Sequence, residues 1–283
     1  MSAVVSIITP AYKAAGTIVP TVRSVLAQTY PDWELVLVSD DGVDYREVLG
    51  QQGIADTRIR QLSSGRIGGG ASAARNLALE QIGTAYAAIL DADDRLKPQK
   101  LQWAVAALAH HGIVTTALDV MDEGFAHLRD VAAGADRALT PGEHKWVNLS
   151  MDSMIVWDRA KADARYDLTM SNMTDLEFLL QLYRTVPASF HLGTPLHDYV
   201  KRAGSMSNGA KTAAGMVASK TTLLERLEAG HYPLEGGGAE GVAAFLTVSL
   251  EAEKHYAAAL AAQPGLLFED HLEPRLQHER AAH

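Results

Sequence analysis

Residues 87–98 read AAILDADDRLKP, which sets three carboxylates, Asp91, Asp93 and Asp94, within four positions directly after an apolar run. Carboxylates this close repel one another, and one at a strand end is costly unless a cation or hydrogen bonds meet it. Two carboxylates at i and i+2 beyond a strand can turn toward one hard divalent cation, Mg²⁺ or Mn²⁺, whose remaining positions a diphosphate can fill. Asp91 and Asp93 are the candidate pair. The same residues also fit a solvated turn that caps the coming helix. Asp40 and Asp41 pose the same choice. A carboxylate there can accept a hydrogen bond from a base N–H or a ribose hydroxyl, or it can hold the tight turn at Gly42.

The stretch GRIGGGASAARN (65–76) contains Gly68-x-Gly70-x-x-Ala73, a dinucleotide-type fingerprint. Asp91 follows about 20 residues on, where a ribose-binding acid would sit. An NAD(P)-dependent oxidoreductase is therefore a competing reading. Against it, the preceding strand ends near Ser63, so the glycines do not follow it at once, and two β-α steps come first. A P-loop is excluded, because no Gly-Lys-Ser/Thr follows. Arg75 falls in the first turn of the next helix, where the dipole does not favour a cation; turned inward, it would suit an anionic ligand. A Mg²⁺-dependent phosphohydrolase with Asp91 as nucleophile is a third class, but the Thr usual two places past its second Asp is here Arg95.

These residues must be positioned by an alternating pattern of elements. AVVSIIT (3–9) is a β-branched run, as in a strand buried on both faces of a parallel sheet. A helix over 16–29 carries Ile18, Val22, Val25 and Leu26 on one face and stops before Pro31. Strands follow at 33–42, 58–63 and 85–94, with helices at 44–52, 71–83 and 98–111. The alternation predicts an α/β fold with an open, mostly parallel, Rossmann-like sheet flanked by helices. Ligands of such sheets bind beyond the carboxyl ends of the strands, where both acidic turns fall. Farther on, strands are expected at 112–121 and 148–157, a polar loop-rich stretch at 122–145, and helices at 174–186, 213–229 and 239–262. The charged last 20 residues are expected to fray.

Composition narrows the classes. The chain has 283 residues, 47% of them hydrophobic, with a net charge of −9. That charge argues against a general nucleic-acid binder. There is no cysteine, which removes disulfides, thiolate metal sites and thiol nucleophiles. No signal peptide or run long enough for a membrane span is visible, so the expected location is the cytoplasm.

The segment VSIITPAYKAAGTIVPTVRSVLAQTYPDWELVLVSDDGVD, followed by GGGASAARNLALEQIGTAYAAILDADDRLKP, resembles the family 2 glycosyltransferases of GT-A fold. MTDLEFLLQLY resembles the segment that carries their catalytic acid, and YVKRAGSMS (199–207) their basic loop. The resemblance is nearly ungapped over 3–100, patchy over 145–207 and absent from the tail. It implies a glycosyltransferase domain over 1–210, split into a nucleotide-sugar half (1–112) and an acceptor half (113–210), and a helical extension over 211–283. It also implies inverting transfer from a nucleotide diphosphate sugar, most often a uridine diphosphate sugar, to an acceptor hydroxyl, with Mn²⁺ or Mg²⁺.

Residue by residue, the resemblance implies that Pro10, Ala11 and Tyr12 pack on the base and that Asp40, beside Asp41, bonds it. Arg75 would help hold the nucleotide, and Asp93 would ligate the metal, with Asp91 and Ala92 nearer the ribose and sugar. Asp175 would be the general base, and Lys201 and Arg202 the cations near the diphosphate. Two positions depart from the family pattern. Lys13 replaces an asparagine, and Val200 and Arg202 stand where an arginine and a histidine are usual. Trp146, Trp157 and Tyr166 are either aromatic platforms for an acceptor sugar or core.

Overall fold

The computed structural model describes residues 4–147, 152–201 and 210–282. Its first half follows the predicted alternation, with the short strand β5 added: β1 (Val5–Ala11), α1 (Ile18–Leu26), β2 (Trp33–Ser39), α2 (Tyr45–Gly50), β3 (Ile59–Ser63), α3 (Ala71–Gln81), β4 (Tyr86–Ile89), β5 (Arg95–Leu96) and α4 (Lys100–Leu108). Then come β6 (Ile113–Met121), β7 (His127–Val131), β8 (Arg137–Leu139), α5 (Pro141–Val147), a 3-10 turn (Asp152–Met154), β9 (Ile155–Asp158), α6 (Thr174–Leu182) and β10 (Ser189–Val200). Helices α7 (Ala210–Glu228), α8 (Gly238–Ala262) and α9 (Phe268–Ala282) end the chain.

The sheet runs β3-β2-β1-β4-β9-β6-β10-β5, with β7 on β6 and β8 on β10. Strands β1 to β4 are parallel, as the sequence predicts. Beyond β4 the sheet is mixed: β9 runs antiparallel to both neighbours, β5, β7 and β8 are antiparallel additions, and β6 and β10 are parallel. Both faces of the parallel part are buried, so each strand alternates between two cores. Ile7, Leu35 and Leu37 meet α1, α2 and α4, while Ile8, Val36 and Val38 meet α3 and α6. This explains runs that are apolar at every position.

Two expectations are corrected, and one strand was not expected. The stretch 122–145 is not mainly loop, since it holds β7, β8 and α5. Strand β7 is largely exposed, so it lacks the apolar alternation that marks a buried strand. Strand β10 had no sequence signal, because Gly193 and Pro195 interrupt it and its register shifts around Pro195. The tail is the helix α9, anchored by buried Leu272 and Leu276 in a third core shared with α6, α7 and α8. Among the described residues, no helix is long and apolar enough to cross a membrane.

Candidate functional site

Strand order reverses at β1, which has β2 on one side and β4 on the other. The crevice beyond the carboxyl ends of β1 and β4 is where such a sheet binds ligands. The turns after β1, β2 and β4 converge there.

The two acids after β2 serve different ends. Asp40 is buried, and its Oδ1 accepts from Ser64 Oγ at 2.7 Å and the Gly69 amide at 3.1 Å. Its Oδ2 accepts from the Gly70 amide at 2.9 Å. Gly70 is the N-cap of α3 and brings no side chain of its own, and Asp40, from the turn after β2, satisfies its amide and anchors the loop entering the helix. Those glycine amides are thereby spent on a carboxylate, which leaves them no part in cradling a dinucleotide pyrophosphate. Asp41 accepts from Tyr45 Oη at 2.7 Å, the Lys13 amide at 2.6 Å, the Val43 amide at 3.1 Å and Ser39 Oγ at 3.2 Å. Burial would raise its pKa, but these bonds overcome that and hold it below the usual carboxylate value. Asp41 therefore ties the β1 turn to β2, with its oxygens committed to the protein.

Within the β1 turn, Pro10 is partly buried and Ala11 is a core side chain whose carbonyl accepts from the Asp40 amide. Tyr12 opens to solvent, 47% exposed, lying alongside Gly68. Lys13 takes the left-handed conformation, φ 53°, which accounts for the asparagine usual in the resembled family.

After β4 the three carboxylates separate. Asp94 is buried, its Oδ2 3.0 Å from His197 Nε2 and its Oδ1 accepting from the Val200 amide at 2.9 Å. Burial raises its pKa well above the carboxylate range and pushes His197 well below the imidazole range, so both groups are favoured in their neutral forms. Ala92 is a core side chain. Asp91 and Asp93 remain half-buried at the rim. The donor set they offer is oxygen only, which fits a hard divalent cation.

Arg75 is buried, as an inward role requires. Its Nη2 lies 2.5 Å from Asp91 Oδ1 and its Nη1 3.1 Å from Asp152 Oδ2. Burial would lower its pKa, and the two carboxylates raise it. Burial pushes Asp152 up to about 6 while Arg75 pulls it down, and Asp91 and Asp175 add to the upward push. Asp175, in the first turn of α6, thus lies within electrostatic reach of the Arg75–Asp152 pair. It also favours the charged form of buried Lys145, which desolvation pulls down to about 8.

Lys201 points toward the C-terminal helix, with Nζ 3.6 Å from Glu269 Oε2. Arg202 lies outside the described residues. Trp157 and Tyr166 are core, and Trp146 is partly buried and donates to the Gly241 carbonyl at 2.9 Å, so none is an open aromatic platform. Sequence reasoning missed Asp152 and the Asp94–His197 pair. Asp152 is a lone acid before an apolar run, and its only signal is that placement; His197 lies in the strand that gave none.

Residues 6–136 match the family described as Glycosyl transferase family 2. The putative teichuronic acid biosynthesis glycosyltransferase TuaG of Bacillus subtilis (strain 168) is 43% identical over 99 residues, 35% of this chain and 39% of that protein. The UDP-Glc:alpha-D-GlcNAc-diphosphoundecaprenol beta-1,3-glucosyltransferase WfgD of Escherichia coli is 37% identical over 109 residues, 38% of this chain and 42% of that protein. The chain thus spans about two-fifths of the length of these relatives. The crystal structure of S. aureus TarS 1-349 in complex with UDP-GlcNAc superposes with a TM-score of 0.68 at 16% identity, covering 97% of this chain and 80% of that one. Asp152 and Asp175 lie beyond the matched residues. Residues 6–136 are thus similar to the glycosyl transferase family 2, and the fold that carries them is of GT-A type.

Proposed function

We propose that the chain is an inverting glycosyltransferase that moves a sugar from a uridine diphosphate sugar to an acceptor hydroxyl. The observation that carries this reading is the position of Asp91 and Asp93 at the carboxyl end of β4, beside the switch point, with Arg75 joining Asp91 to Asp152. The uridine choice draws support from the TarS structures in complex with UDP-GlcNAc and UDP, and from the UDP-Glc in the Escherichia coli relative's name.

Asp91 and Asp93 would hold Mn²⁺ or Mg²⁺, with Asp93 the direct ligand. Bound there, the ion would neutralise charge on the departing diphosphate. Tyr12, exposed beside Gly68, would pack on the base, and Asp40 would set the shape of the loop that faces it. The acceptor hydroxyl gives its proton to Asp175 as its oxygen attacks the anomeric carbon. The bond from that carbon to the diphosphate oxygen breaks, and its electron pair leaves with UDP. Holding the two reactants in line contributes a further large share of the rate.

UDP release from a panel of UDP-sugars, measured with Mn²⁺ and candidate acceptors, tests the reading. Asp175→Asn is expected to lower the rate by about 10²–10⁴ while equilibrium binding of UDP is kept. Unchanged turnover, or loss of UDP binding with turnover, would remove Asp175 from the role of base.

A further inference from the structure

We propose that Asp152 is a positioning residue, the fixed counter-ion of Arg75, which leaves Asp91 available to the donor and its metal ion. This rests on the donor-site reading above. Arg75 has two carboxylate partners of unequal standing. The Asp152 side chain is 6% exposed, whereas the Asp91 side chain keeps 32% of its surface open. Asp152 is also fixed from behind, because Tyr166 Oη donates to its Oδ2 at 2.6 Å. The Tyr166 ring is stacked on Phe178 with centroids 4.4 Å apart, and the Arg75 guanidinium lies 5.2 Å from its centre. Core packing therefore holds Tyr166, Tyr166 holds Asp152, and Asp152 holds Arg75.

The consequence follows from the cost of stranding a buried charge. A buried guanidinium stripped of its only carboxylate is strongly disfavoured. Were Asp91 the sole partner, any ligand that drew Asp91 away would leave Arg75 uncompensated, and Arg75 would hold Asp91 back. With Asp152 in place, Asp91 can turn toward a cation while Arg75 stays neutralised. Asp152 belongs to the 3-10 turn before β9, so it links the acceptor half of the chain to a donor site built by the first half.

The readout is the factor by which Mn²⁺ tightens UDP binding, measured by calorimetry with and without the ion. Asp152→Asn is expected to cut that factor by roughly 10–100-fold, the range found when a group behind a metal ligand is removed. Asp152→Glu should restore part of it, and Tyr166→Phe should give a smaller loss. A role confined to folding would instead lower the melting temperature and leave the factor intact in the folded variant. An unchanged factor in folded Asp152→Asn overturns the inference; should that variant not fold, an unchanged factor in Tyr166→Phe does so. Wild-type protein in which Mn²⁺ does not tighten UDP binding refutes the donor-site reading itself, and the inference with it.

Discussion

Lys13 shows how one residue can sit against its own backbone preference. Its φ of 53° is a conformation that disfavours side chains with a Cβ, and it persists because its amide donates to Asp41. The strain is about 1–2 kcal/mol for an ordinary residue and less for asparagine, which bonds locally. The exposed ammonium lies 5.1 Å from the centre of the Tyr12 ring, a contact worth roughly 0.5–1 kcal/mol. Relief of strain is the larger effect, so Lys13→Asn should raise the melting temperature slightly. A lower melting temperature would mean that the cation–π contact holds the turn. At this scale the residue types were legible and their partners were not. Asp40 and Asp41 stood out as acids at a strand end, but the donors that fill them come from Ser64, Gly69 and Gly70 in one case and from Lys13 and Tyr45 in the other. No spacing rule encodes where lone pairs point. Asp94 was indistinguishable in sequence from its neighbours, and only burial separates it from the rim pair.

Among the elements, α4 is tied to the 3-10 turn by Lys100, whose buried ammonium donates to the Ser153 carbonyl at 2.6 Å. Burial pulls its pKa down to about 7, against an upward pull from Asp94. The unfolded chain then binds the extra proton from about pH 7 up to the ordinary lysine value of 10.5, so this residue makes stability rise with pH across that window. Replacing it with methionine removes the slope. Thermal unfolding of Lys100→Met and wild type between pH 7 and 10 should show the variant compare less and less favourably as pH rises; parallel curves would contradict the burial of a charge there. Helices α5 and α8 cross at Gly142 and Gly241, where a Cβ on Gly241 would lie 2.7 Å from the Gly142 Cα. Gly241→Ala gains about 1 kcal/mol in helix propensity but forces an overpacked contact that costs roughly 1–3 kcal/mol. The net effect on denaturant unfolding should be destabilising. Element types were legible wherever periodicity was strong, as from β1 to α4. They were illegible where an edge strand is solvated, as in β7, or where glycine and proline break the run, as in β10.

In the molecule as a whole, two half-sheets are joined through β9, and the candidate site lies where the parallel half meets the mixed half. The parallel half was readable because its strands are buried on both faces and its connections are local. The mixed half was not, because its partners are distant in sequence: β4 pairs with β9, and β5 with β10. The same distance hid Asp152, which reaches Arg75 only once β9 is in the sheet. The C-terminal helices belong to this whole through the third core, where Leu276 is fully buried. Leu276→Ala should cost about 2–5 kcal/mol, whereas a frayed tail would lose nothing measurable.

The most direct test of the central claim is thermal melting of the wild-type chain with UDP and Mn²⁺, alongside the other nucleoside diphosphates and NAD. UDP with Mn²⁺ is expected to raise the melting temperature in a metal-dependent way, and the rise disappears in Asp93→Ala. At a hundredfold excess over Kd the stabilisation is about 2.7 kcal/mol, several degrees for a chain of this size. A rise with NAD and none with any diphosphate, or a UDP shift indifferent to both Mn²⁺ and Asp93, would contradict the claim.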